Sequence, residues 1–223
     1  MSSSDTNNPH ALDEAQNPDE LFEIMNPPSV NFDPYSDRPI STNSFSTRAD
    51  AHQRCLWHCS VHIWIIKSPS SILLQRRSMK KDTFPGRWDI SSAGHIEAGK
   101  SPLDAAYCEI AEELGIDLRA MGEDDKHKMW NGGLRHAFII PAEQAPIGGC
   151  NAFEFVYFLI LSNDSSPKLS LGTEEVMDVS WMDAWEVIQA LRSRNDEFAP
   201  RTKDYIDAME KCIQTFFNKE REV

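Results

Sequence analysis

Residues Gly94 to Ile116 read GHIEAGKSPLDAAYCEIAEELGI, and this stretch restricts the fold more than any other. Its first eight residues fit G-x-x-x-x-G-K-S. In such a loop the backbone N–H groups and the lysine surround phosphates, provided the loop leaves a buried strand and opens a helix. The second half predicts a helix from about Pro102 to Leu114. Ser101 suits its N-cap, Pro102 its first position and Gly115 its C-terminal cap. At about 100° per residue, Leu103, Ala106, Ile110 and Leu114 form one stripe expected to pack on a sheet. Glu109, Glu112 and Glu113, spaced i, i+3 and i, i+4, crowd a second face. Three carboxylates so close repel one another unless a cation sits among them. Such oxygen clusters suit Mg2+ or Mn2+, especially when a substrate diphosphate completes the shell. The same spacing also occurs on solvated acidic helix faces.

The two halves imply different folds, and Lys100 serves only the first. A phosphate loop needs a buried strand before it, and GRWDISSAG is a poor one. It also needs an apolar strand ending in Asp. The nearest approach, YFLILSND, displaces Asp164 past Ser and Asn. The acidic helix is therefore the reading that fits its surroundings.

Charge narrows the partners. The net charge is −13, and residues 1 to 50 hold nine acids and two arginines, hence −7 of it. That sign disfavours a nucleic-acid backbone, whose binding rests on Lys and Arg. A small phosphorylated substrate needs only a local basic cluster. The five cysteines are odd in number with no C-x-x-C pair, as expected for reduced thiols in a cytoplasmic protein. The longest apolar run, FEFVYFLIL, is far shorter than a bilayer requires, and the acidic N-terminus has no apolar signal region. Neither a membrane nor a nucleic acid is expected as a partner, and the sequence leaves the oligomeric state open.

Along the chain, residues 1–19 are expected to form a disordered acidic tail. Residues 20–50 read as an extended segment with one short strand at Glu20–Asn26. The folded domain is expected over 51–223. His58–Lys67 and Ile72–Arg77 resemble a hairpin, and WDIS at Trp88–Ser91 is a short extended piece. HAFIIP, AFEFVYFLIL and VMDVSWMD supply further strands, with helices at Ala184–Arg192 and Thr202–Lys219. This is an α/β pattern with strands on both sides of one central helix.

The central segment resembles the Nudix box, G-x5-E-x7-R-E-U-x-E-E-x-G-U with U aliphatic. Gly94, Glu109, Ile110, Glu112, Glu113, Gly115 and Ile116 match in register. Lys100 stands at the first Glu position and Cys108 at the Arg position. The flanks LLQRRSMKKDTFPGRWDISSAGH and QRCLWHCSVHIWII are similar to Nudix hydrolases related to type I isopentenyl-diphosphate isomerase. The resemblance implies a Nudix-type α/β/α sandwich with a mixed sheet and the box as loop–helix–loop. It implies hydrolysis of a diphosphate linkage in a nucleoside diphosphate or other organic diphosphate, with Mg2+ or Mn2+ held by Glu109, Glu112 and Glu113. The cation would polarise a phosphoryl oxygen and lower the pKa of the attacking water. A glutamate would accept the proton. Glu154 is the candidate carboxylate from outside the box, ahead of Glu174 and Glu175, and it is equally well read as an outward-facing strand residue.

Arg76, Arg77, Lys80, Lys81 and Lys100 are candidates for the substrate phosphates, though paired lysines such as Lys80 and Lys81 are commonly a solvated surface feature. Trp88, Phe153 and Trp181 are candidates for stacking on a base or prenyl chain; each also suits a core position. The two departures raise a second reading, a degenerate Nudix domain that binds a ligand or partner without efficient turnover. Cys108 cannot supply an Arg's fork of donors, and Lys100 puts a positive charge where a negative one is expected. A third reading is the isomerase itself. His58 and His95 match positions where those enzymes place metal-binding histidines, but Ser91, Ser92 and Ala93 stand where the isomerase needs its thiol.

Overall fold

The computed structural model describes residues 17–67, 70–122, 124, 129–144, 149–162 and 167–219. All but the last three residues of the expected tail lie outside them, as does Asp164. In chain order the elements are β1 (Leu21–Met25), β2 (Ser41–Thr47), α1 (Arg48–Gln53), β3 (His58–Lys67), β4 (Ser71–Arg77), β5 (Trp88–Asp89) and β6 (Ser92–His95). These are followed by α2 (Pro102–Leu114), β7 (Trp130–Glu143), β8 (Asn151–Leu161), β9 (Val176–Asp183), α3 (Ala184–Arg192) and α4 (Lys203–Lys219).

The mixed sheet is organised around β3, which pairs with β8 in parallel along its whole length. A strand buried on both faces reads as a continuous apolar run, as HCSVHIWIIK nearly does. On its other edge β3 pairs with β4 only at Ile65–Lys67 and with β6 at Ser60–Ile63, both antiparallel. The expected hairpin therefore exists but splays, and β6 fills the opening. β4 carries β5 and β9, and β7 lies outside β8. Alternate β3 residues feed two cores. Val61, Ile63 and Ile65 pack with Ala106, Ile110 and Leu114 of α2. Trp64 and Ile66 pack with Ile188 of α3 and Met209 of α4. This is the α/β/α sandwich.

The caps of α2 form as its residues dictate. The Ser101 side chain accepts from the Asp104 amide at 3.1 Å. Gly115 takes φ +70°, which a side chain resists, and its amide donates to the Ala111 carbonyl at 3.0 Å. The expected apolar stripe is rotated, however. Leu103 is 41% exposed, while Ala105 and Glu113 are buried. An acid thus occupies a core-facing position, because the sheet supplies donors to receive it.

Between residues 20 and 53 there are two strands and a short helix, where the sequence predicts one strand. β1 and β2 pair antiparallel, and Phe22, Ile24 and Ala51 form a small core of their own. This unit docks on the main domain through backbone bonds. The Met25 amide donates to the Trp57 carbonyl, and the Ala98 amide to the Leu21 carbonyl, both at 2.8 Å. The folded part therefore starts well before residue 51. Among the described residues no helix is long and apolar enough to cross a membrane.

Candidate functional site

A cavity of about 410 Å³ opens where the N-terminal ends of β3 and β8, the turn before α2 and the N-terminal unit meet. Glu109 and Glu112 of α2 line it, as do Arg77, Lys81, Lys100, Glu154 and Glu175. Glu20, Arg48 and His52 form a wall contributed by the N-terminal unit.

The acidic side is tightly fixed. The Glu109 carboxylate lies over Gly94, where a Cβ would fall on its oxygens. This explains glycine at the head of the segment: the carboxylate occupies the space a side chain would need. Glu113 projects to the sheet, and its Oε2 accepts from the Ala93 amide at 3.0 Å and from Gln75 Nε2 at 3.1 Å. Its Oε1 is buried with no hydrogen-bond partner. Burial raises the Glu113 carboxyl to about 7 against the opposing charge of Lys81. Burial, then the charges of Glu113, Glu175 and Glu112, push Glu109 well above the usual carboxylate range. A carboxylate cluster whose buried member, Glu113, keeps an orphaned oxygen is the arrangement a hard divalent cation fits.

Glu154 lies elsewhere on the wall. Its Oε1 accepts from Gln144 Nε2 at 2.8 Å and is 3.7 Å from His62 Nε2. Burial pushes it up to about 8, with Arg201 and Asp89, not the α2 glutamates, as its charged neighbours. Glu175, ranked behind it by sequence, sits with the α2 cluster: the amide of Gly172 donates to the Glu113 carbonyl at 3.0 Å, and Glu175 donates its own amide to Gly172 at 2.9 Å.

The cations divide in the same way. Arg77 is committed to structure, with Nη1 3.0 Å from Asp89 and Nε donating to the Thr83 carbonyl at 2.8 Å. Arg76 lies on the other side of β4, donating to the Gly86 carbonyl at 3.0 Å and lying against Trp88. Neither Arg76 nor Trp88 lines the cavity, since Trp88 packs against the α3–α4 core. Phe153 is buried in the α2 core, and Trp181 is exposed on β9. Lys100 reaches back to Glu97 at 2.7 Å. The strand before it, β6, is a short antiparallel piece, so the phosphate-loop geometry does not form. Cys108 lies 4.0 Å from Arg119, which pairs with Asp104.

At the end of the cavity under α1, four side chains converge that sequence only half identifies. His52 Nε2 is 3.3 Å from His95 Nε2, and Cys150 Sγ is 3.8 Å from the same atom. With His58, their ligand atoms all lie within 4.8 Å of one another. His58 Nδ1 donates to the Leu56 carbonyl at 2.9 Å, which leaves Nε2 as a buried lone pair without a partner. Burial lowers His58 to about 4 and raises Cys150 to about 11. Three imidazoles and a thiol are a donor set for a softer cation such as Zn2+. One detail opposes it: Arg48 Nη1 donates to His95 Nδ1 at 3.4 Å, which places the His95 proton on Nε2, so a ligating His95 needs the other tautomer. His52 and Cys150 escaped the sequence reading because they are distant in the chain and share no spacing motif.

Comparison with known proteins agrees with this geometry. The NUDIX domain family matches residues 56–202. Nudix hydrolase 3 of Arabidopsis thaliana is 43% identical over 89 residues, or 40% of this chain; that stretch is only 12% of the relative's length. An uncharacterised Nudix hydrolase of Clostridium acetobutylicum is 30% identical over 67% of this chain and 68% of its own. An isopentenyl-diphosphate Δ-isomerase of Dinoroseobacter shibae is 28% identical over 71% and 82% respectively. A solved structure from Deinococcus radiodurans superposes with a TM-score of 0.58 at 18% identity, covering 86% of this chain and 99% of that one. An α/β/α sandwich with a glutamate-bearing loop–helix–loop over its sheet is a Nudix domain. The chain belongs to the Nudix family.

Proposed function

We propose that the chain hydrolyses a diphosphate linkage in a nucleoside diphosphate or other small organic diphosphate, with Mg2+ or Mn2+ held by Glu109, Glu112 and Glu113. The observation that carries this reading is the Glu113 carboxylate, gripped by two donors on one oxygen and left open on the other. The cation supplies Lewis-acid polarisation of the phosphoryl group. The chain's own part is to hold the carboxylates: Gln75 of β4 and the Ala93 amide of β6 grip Glu113, and Gly94 of β6 makes room for Glu109. Glu154, raised to about 8 and lying beside Gln144 and His62, is our candidate for the group that exchanges a proton in the cavity.

The departures at Lys100 and Cys108 weigh less than the sequence implies. Lys100 pairs with Glu97, and Gln75 with the Ala93 amide supplies two donors to Glu113. A screen of nucleoside and isoprenoid diphosphates with Mg2+ and Mn2+, reading products by mass, tests the reading. Phosphate-containing cleavage products are expected. Binding without product points to the degenerate domain, and an isomerised diphosphate of unchanged mass, resolved by chromatography, to the isomerase.

Gly94→Ala tests the support of Glu109. The added Cβ must displace the carboxylate, so Mn2+ affinity is expected to fall about 10- to 100-fold, as when a partner that orients a metal ligand is lost. Calorimetric titration measures this, and unchanged affinity would remove Glu109 from the cation site.

A further inference from the structure

Lys80 and Lys81 are neighbours with opposite fates. Lys80 is 65% exposed and pairs with Glu174 at the surface. Lys81 is 11% exposed, pairs with Glu175 and lines the cavity. Both ends of its loop are fixed. The Ser78 amide donates to the Glu175 carbonyl at 2.8 Å, and the Lys81 amide to the Ser78 carbonyl at 3.2 Å. Arg77 holds Thr83 beyond it. Glu175 is in turn tied through Gly172 to the C-terminal turn of α2. The lysine is thus aimed at the acidic cluster by backbone bonds on two adjacent loops, and its charge acts on both Glu109 and Glu113.

Four carboxylates, Glu109, Glu112, Glu113 and Glu175, share this corner, from the buried Glu113 to the exposed Glu112, and like charges held so close need a counter-ion. We propose that Lys81 is a built-in placeholder for the divalent cation: it neutralises the cluster in the metal-free protein, is displaced from Glu175 when the cation binds, and then contacts the diphosphate of the substrate. The inference rests on the cation reading above. An ammonium is a single charge on a flexible stem with three rotatable donors, so it can leave one anion for another without moving the backbone. A doubly charged ion in the same field outcompetes it. The released ammonium stays in the cavity, where an anionic substrate completes its neutralisation. Cation and diphosphate therefore bind in that order, each favouring the next step.

The test uses Mn2+ and inorganic diphosphate with the full chain. In Lys81→Met, Mn2+ affinity without diphosphate is expected to rise about tenfold, because the competing charge is gone. Diphosphate affinity at saturating Mn2+ is expected to fall by a similar factor, about tenfold. Lys81→Arg is expected to restore diphosphate affinity. Should Lys81→Met not fold, wild-type protein gives the answer through lysine acylation read by mass spectrometry. Labelling of Lys81 is expected to increase several-fold on adding Mn2+ and to fall again on adding diphosphate. If wild type binds Mn2+ while Lys81→Met binds it equally or more weakly, or labelling does not rise, the exchange is overturned and the cation site stands. If wild type binds no Mn2+, both fall.

Discussion

Glu113→Gln is expected to abolish cation-dependent turnover, with a loss of at least about a thousandfold, while leaving the fold intact. Glutamine keeps the shape, and its carbonyl oxygen can still accept from the Ala93 amide and Gln75. Its NH2 group faces the place of the open oxygen and repels a cation. The same change alters the pH dependence of stability in metal-free protein. The Glu113 pKa is raised to about 7 in the folded chain, so the folded state holds its proton more tightly than the unfolded state. Its stabilising effect is complete below the ordinary carboxylate value and is lost as pH rises through about 7. The shift corresponds to about 3 kcal/mol. Melting curves between pH 4.5 and 8 should therefore show the wild type losing stability more steeply than Glu113→Gln. At pH 8, Mn2+ at 100 times its Kd should restore about 2.7 kcal/mol to wild type and nothing to the variant. Wild-type turnover in the variant would take Glu113 out of the mechanism.

The second large effect lies at the cavity wall formed by Arg77 and Asp89 and concerns stability. Asp89 is buried between Arg77, at 3.0 Å, and Arg201, which also pairs with it. Burial alone would raise the Asp89 pKa, but Arg201 and then Arg77 overcome it and hold the carboxyl below its usual range. Arg201→Met removes one partner and leaves the carboxylate under-compensated in the interior. The expected cost is about 3–5 kcal/mol, read as a fall in Tm on the order of 10 °C for a chain of this size. Adding Asp89→Asn should recover part of the loss, since the two sites share one interaction. A cost below about 1 kcal/mol would show that Arg77 alone suffices. Arg201 also counters the burial of Glu154, so its removal should drive the Glu154 pKa further up and shift any pH profile that depends on it.

The parts of the fold that were legible carried their signals locally. α2 has its caps in adjacent residues, and β3 and β8 are long apolar runs, so their positions follow from the chain itself. β2 and β6 did not announce themselves. STNSFST is exposed at four of its seven positions and is held by backbone pairing to β1. In SAGH, Gly94 leaves room for Glu109 of α2, which only the tertiary structure shows. The site was legible as a set of glutamates but not as geometry. A rule that places acids outward puts Leu103 in the core and Glu113 outside it. The structure reverses both, because Gln75 and the Ala93 amide make an interior acid affordable. Arg76 and Arg77 are indistinguishable in sequence, yet strand alternation sends them to opposite faces.

The docking of the β1–β2 unit separates two kinds of change. The carboxylates and their supports come from α2, β4 and β6, whereas Glu20, Arg48 and His52 hang over them from a unit with its own small core. Residues 26–40, between its strands, supply none of the groups that hold Glu109 or Glu113; they dock instead at the β7–β8 edge of the sheet, with Phe32 against Phe153 and the Pro34 carbonyl accepting from the Ile139 amide. Part of the cavity's rim and the carboxylates at its floor thus lie on different pieces of the chain, so a substitution at Glu20, Arg48 or His52 can change what enters the cavity while the supports of Glu109 and Glu113 stay in place.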